Sequence, residues 1–179
     1  MSDESFESYI ETARALLGSY ETPSELWQAN DAVNFALSIR PHDASAWLVK
    51  SQLMSCLEDD PSALAAAEMA LRAAPDSAEV RYVRAAVLTD MERYEEALEA
   101  LDAAFARCAA DDSWLLEDLY YEKAAILDAL GRDEEAVATF EAGLKRCPES
   151  ALLSAGLEPL RRERVRRTFR VIDGGRADA

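Results

Sequence analysis

Arg93-Tyr94-Glu95-Glu96-Ala97-Leu98 and Arg132-Asp133-Glu134-Glu135-Ala136-Val137 are near copies, and an Arg-Cys pair follows each at the same distance, Arg107-Cys108 and Arg146-Cys147. The interval between them is 39 residues. An internal repeat of that length fixes the architecture, because each copy is one supersecondary unit that must stack on its neighbours to bury its apolar face. With Ala97 and Ala136 as anchors, two earlier copies emerge at Ala29 and Ala63, and the first three anchors are 34 residues apart. Twelve residues after the anchors stand Pro41, Pro75, Ala109 and Pro148. Four after them come Val33, Ala67, Leu101 and Phe140; seven after, Ala36, Ala70, Ala104 and Gly143.

A second stripe precedes each anchor. Sixteen residues before it lie Ala13, Trp47, Arg81 and Tyr120, and nine before it Tyr20, Met54, Leu88 and Leu127, offsets that share one side of a helix. Breakers and caps separate the stripes: Thr22-Pro23-Ser24, Asp59-Asp60-Pro61-Ser62 and Gly131-Arg132-Asp133. Each unit therefore reads helix, turn, helix. Composition agrees, since the 179 residues include only six Gly and six Pro, Ala, Leu, Glu and Arg dominate, and no convincing strand is present. Small residues at the anchors let helix axes approach closely, with Trp47, Tyr20 and Phe140 expected to fill the remaining space.

This pattern resembles the tetratricopeptide repeat family, whose unit reads W-x2-L-G-x2-Y, then A-x3-F, then P. The resemblance covers about Phe6 to Pro148 and is stronger in the second helices; in the first, Lys50, Arg84 and Lys123 replace the motif leucine and Trp47 alone supplies its tryptophan. It implies an all-α, right-handed α-solenoid of about four repeats, at residues 6–43, 44–77, 78–111 and 112–148. Capping helices follow at 149–172 and a flexible tail at 173–179. Gly156 is expected to end the first capping helix, and Pro159 to stand in the first turn of an Arg-rich second one.

Two departures carry alternatives. Five extra residues around Asp112-Ser113-Trp114-Leu115-Leu116 lengthen the step to the fourth unit. Trp114 there either packs or meets a partner. The last helix carries Arg161, Arg162, Arg164, Arg166, Arg167 and Arg170. It reads as a solvated cap, or as a surface that docks on acidic residues of this molecule or of a neighbouring copy; nucleic acid or anionic membrane is a weaker third reading.

In the family that the sequence resembles, the first helices line a concave groove that takes extended or helical peptides. By position, that groove holds Arg14, Leu48, Tyr82 and Tyr121, with Gly18, Gln52, Ala86 and Ala125 four residues on. Glu11, Ser45, Glu79 and Asp118 flank them, and Asp90 and Asp128 lie further along. The implied ligand has apolar anchors beside Lys or Arg; Tyr82 and Tyr121 alternatively serve only packing between repeats. The carboxylate clamp of one family subgroup is missing, because Val49, Glu79, Val83, Asp118 and Glu122 stand where cations or Asn are needed.

The expected function is an adaptor or scaffold for a protein or peptide, with a small secretion-type chaperone holding a partly unfolded client as the alternative. Catalysis, cofactor and metal find no support: the single His42 follows Pro41 in a turn, and no phosphate loop or nucleophile constellation is present. Cys56, Cys108 and Cys147 form no C-x-x-C pair and read as reduced packing residues. A net charge of −16 opposes nucleic acid and anionic membrane, with 32 acidic against 12 basic residues through Leu160 and 3 against 7 beyond it. Met1-Ser2-Asp3-Glu4-Ser5 is acidic where a secretory signal needs base, and no apolar run approaches the roughly 20 residues of a bilayer span, so a cytoplasmic location is expected.

Overall fold

The computed structural model describes residues 3–109 and 112–174, apart from the side chains of 113 and 163–174. Among the described residues every regular element is a helix, and two compact units divide between Arg107 and Cys108. The first unit holds α1 (Asp3–Ser19), α2 (Pro23–Ile39), α3 (Ala44–Cys56), α4 (Asp60–Ala73), α5 (Ala78–Asp90) and α6 (Tyr94–Phe105). The second holds α7 (Ser113–Ala129), α8 (Asp133–Arg146) and α9 (Ala151–Gly174). Consecutive helices pair as the repeat requires, α1 with α2, α3 with α4, α5 with α6 and α7 with α8. The packing groups the fourth pair with α9, whereas the sequence reading drew its boundary at Pro148.

The anchors Ala29, Ala63, Ala97 and Ala136 are fully buried, as are Ala36, Ala70 and Ala104. At Gly143 even a methyl group is too large, because a Cβ there would lie 2.9 Å from Leu153 and from Tyr120. Phe140 fills space as expected, but Tyr20 does not. It lies one residue beyond the end of α1 and is exposed, while its counterparts Met54, Leu88 and Leu127 remain inside their helices and are buried.

Turns within the pairs repeat the same hydrogen bonds. The Asp59, Arg93 and Arg132 amides donate to the carbonyls of Met54, Leu88 and Leu127, at 2.9, 2.8 and 2.8 Å. Each bond closes a helix over one left-handed residue: Glu58 (φ 58°), Glu92 (φ 57°) or Gly131 (φ 70°). Only the third is glycine, so the other two carry a Cβ where it crowds the following carbonyl. Glu58→Gly and Glu92→Gly should therefore each stabilise the chain by about 0.5–1 kcal/mol, read as a rise in the urea midpoint. An unchanged or lower midpoint for both would refute the strain.

Side-chain caps open the next pairs. Asp43 Oδ1 accepts from the Ala46 amide (2.9 Å), Ser77 Oγ from Val80 (3.2 Å) and Ser150 Oγ from Leu153 (3.0 Å). Helices α6 and α8 begin instead on bidentate Arg93–Glu96 and Arg132–Glu135 pairs. Each arginine holds its partner's carboxyl below the usual range.

Where the family motif has apolar residues, this chain inserts cations with partners. Trp47 Nε1 donates to the Pro41 carbonyl at 2.8 Å, and Arg81, its counterpart, does the same to Pro75 at 2.6 Å. At the motif leucine, Lys50 Nζ donates to Asn30 Oδ1 and, at 2.9 Å, to Asn34 Oδ1, while Arg84 Nε pairs with Glu68 at 2.6 Å. Burial pushes the Lys50 ammonium down, with Asp31 and Asp59 opposing. Both links join a second helix to the first helix of the next pair.

The expected break at Gly156 is absent: α9 runs as one helix with Pro159 inside it. A Cβ on Gly156 would lie 2.6 Å from the Phe140 ring and 3.2 Å from Tyr121. This glycine serves close approach of α9 to α8 and α7, not helix termination. Ser150 fixes the start of α9, since its hydroxyl also donates to Glu117 of α7 at 2.6 Å. Residues 175–179 of the expected tail lie outside the described residues.

Candidate protein-binding face

In the first unit α1 packs on α3 and α3 on α5, whereas α2 and α4, or α4 and α6, do not pack on each other. Layers that approach on one side and separate on the other curve toward the close side, so the first helices form its inner face. Arg14, Gln52 and Glu79 are exposed there, and Tyr82 and Ala86 are half-buried. Arg14 donates to Ser45 Oγ, linking α1 to α3. Leu48 corrects the sequence reading. It is buried in a cluster with Ala70, Val80 and Val83, with Tyr82 packed at the edge, and so belongs to the joint between the second and third pairs. One step beyond Trp47 turns the side chain toward α5, which lies against α3.

The second unit contains a cleft of about 320 Å³ between α7, α8 and α9. Tyr121, Ala125 and Asp128 of α7 line one side of it, three residues on a single helix face, and Leu152 and Pro159 of α9 line the other. Phe140 contributes from α8, its ring edge-on to Tyr121 at 5.9 Å between centroids and 68° between planes. Leu152 is 39% exposed, while the next residue, Leu153, is fully buried. Asp118 is half-buried but does not line the cleft; burial, and then the adjacent Glu117, push its carboxyl up. Tyr121 and Ala125 were thus legible in the sequence. The opposite wall was not, because the expected break at Gly156 would have separated Leu152 from Pro159.

The remaining candidates sort by exposure. Trp114 is 55% exposed. Arg161 pairs with Glu141 of α8 at 2.9 Å, and Arg162 with Glu158 at 3.4 Å. The side chains of Arg164, Arg166, Arg167 and Arg170 lie outside the described residues. His42 is exposed in its turn. Cys56 is exposed and Cys108 and Cys147 are half-buried, so none is a core residue and the packing reading fails for Cys56. Among the described residues no helix is long and apolar enough to cross a membrane, and no cluster of His, Cys, Asp or Glu is arranged to hold a metal ion.

Helix pairs with alanine anchors, left-handed turns and an inner face of first helices define an α-helical repeat scaffold. Residues 117–150, the fourth pair, match the sequence model of the tetratricopeptide repeat family. The structure of PilF from Pseudomonas aeruginosa superposes with a TM-score of 0.75 at 20% identity, over 99% of this chain and 79% of that one. PilW, a type IV pilus biogenesis factor, gives 0.71 at 22% identity, over 86% and 66%. The tetratricopeptide domain of Arabidopsis OM64 gives 0.60 at 17%, over 67% and 95%. No curated protein matches the sequence. A repeat of that family thus stands at 117–150, and the chain has the fold of these structures over most of its length.

Proposed function

We propose that the chain is an adaptor that holds a protein or peptide segment carrying apolar and basic residues, and that the cleft beside Tyr121 is where the segment anchors. The observation that carries this reading is the cleft itself. Its walls are aromatic and aliphatic, and Asp128 supplies an anionic rim that favours a basic group. An aromatic ring in a partly desolvated recess is the kind of residue that dominates a binding energy.

The test is capture of partners by the immobilised full chain, with Tyr121→Ala and Tyr82→Ala compared separately. Tyr121→Ala should reduce retention of the specific partner about tenfold, as for an interface hot spot, with helical content by circular dichroism unchanged. Tyr82→Ala reports on the inner face of the first unit. Retention unaffected by either substitution would refute a groove ligand, and loss of helix would mark the tyrosines as packing residues.

A further inference from the structure

Pro159 faces the cleft from inside α9, where proline has no N–H to give. The carbonyl it fails to serve is that of Ala155, four residues earlier, and Ala155 lines the same cleft. The second polar group there is the carboxylate of Asp128, an exposed residue. Both are acceptors. Around them stand the rings of Tyr121 and Phe140 and the side chain of Leu152. At about 320 Å³ the cleft lies at the lower end of ligand-sized cavities, which run from roughly 300 to 1,000 Å³, so it suits one side chain better than an extended molecule.

We infer that this cleft is a receptor for a single arginine side chain presented by a bound peptide. The inference rests on the peptide-binding reading above and names the residue that reading leaves open. Arginine matches the walls in three ways. Its three methylenes lie along Leu152 and the tyrosine ring; its planar cation stacks on aromatic faces; and its N–H donors suit the Asp128 carboxylate. A leucine offers the Asp128 carboxylate no charge-assisted donor. Among the described side chains, the nearby Arg161 is paired with Glu141 and Arg162 with Glu158.

The probes are three capped pentapeptides, acetyl-Ala-Ala-Xaa-Ala-Ala-amide, with Xaa arginine, its neutral isostere citrulline, or leucine. They are titrated into the full ¹⁵N-labelled chain at 0.15 M salt, on the order of physiological ionic strength. The arginine peptide should shift the amides of Ala125, Asp128 and Gly156. Citrulline in the peptide, or Asp128→Asn in the protein, should weaken its binding about tenfold, as expected for loss of a charge-assisted hydrogen bond. Pro159→Ala restores an N–H to Ala155 and should weaken the arginine peptide about threefold while leaving the leucine peptide unchanged.

Equal binding of arginine and citrulline peptides, or no effect of Asp128→Asn, would overturn the arginine assignment. If the leucine peptide then shifts the cleft amides, the broader peptide-binding reading still stands. Shifts confined to other parts of the chain would also overturn the assignment. If no peptide perturbs the cleft, both readings fall.

Discussion

Valine in place of Gly156 is expected to lift α9 from the second unit. A Cβ there already lies 2.6 Å from two atoms of the Phe140 ring, and Tyr121 closes the other side at 3.2 Å. Phe140 is buried in the cluster with Leu153 and Leu157, so moving its ring disturbs that packing. Overpacking of this kind costs about 1–3 kcal/mol, and the two γ-carbons of valine place this case at the upper end. The measurement is urea unfolding followed by circular dichroism, with hydrogen exchange at the α7–α9 amides to localise the loss. Gly156→Ala should fall between wild type and valine. A wild-type midpoint for valine would mean that the Phe140 ring yields without cost, and the close approach would lose its structural role.

Leu53→Ala should be more damaging still, and in the other unit. Leu53 is completely buried in the cluster that joins Ile10 and Ala13 of α1, Val33 and Ala36 of α2, and Val87 of α5. Removing a buried leucine costs about 2–5 kcal/mol, the range reflecting how far the surroundings collapse into the cavity. Stacked pairs depend on their neighbours, so this loss should lower the unfolding midpoint of the whole first unit and not of α3 alone. Hydrogen exchange that accelerates only within α3 would contradict that coupling.

Much of this fold was legible because its constraints are local and recur. A buried alanine at 29, 63, 97 and 136 marks where two helices approach closely. The stretch Asp59-Asp60-Pro61-Ser62 is equally readable, and there Asp59 Oδ1 caps α4 by accepting from the Ser62 amide. What escaped the sequence was set by contacts between distant segments. Gly156 reads as a stop until Phe140, sixteen residues away, is known to press on it. Leu48 reads as a groove residue until Val80 and Val83 are seen to cover it.

The candidate site divides the same way. Tyr121, Ala125 and Asp128 lie on one face of α7, and helical spacing suffices to group them. Leu152, Ala155 and Pro159 complete the cleft only because α9 continues unbroken beside α7, which periodicity did not reveal. Lys50 and Arg84, which depart from the family motif, looked like weak points in the repeat. Each instead has a defined acceptor on the preceding helix.

Those two cations make the order of the hairpins non-interchangeable. Asn30 is 8% exposed and needs a donor from whatever follows it, and Glu68, partly exposed, meets a cation at the corresponding place. A generic repeat spliced in behind Asn30 would offer hydrocarbon instead, leaving a buried amide stranded at the seam. The polar links thus act as address labels along the chain, telling each hairpin which successor to accept and discouraging slipped or exchanged assemblies among otherwise similar alanine-rich units.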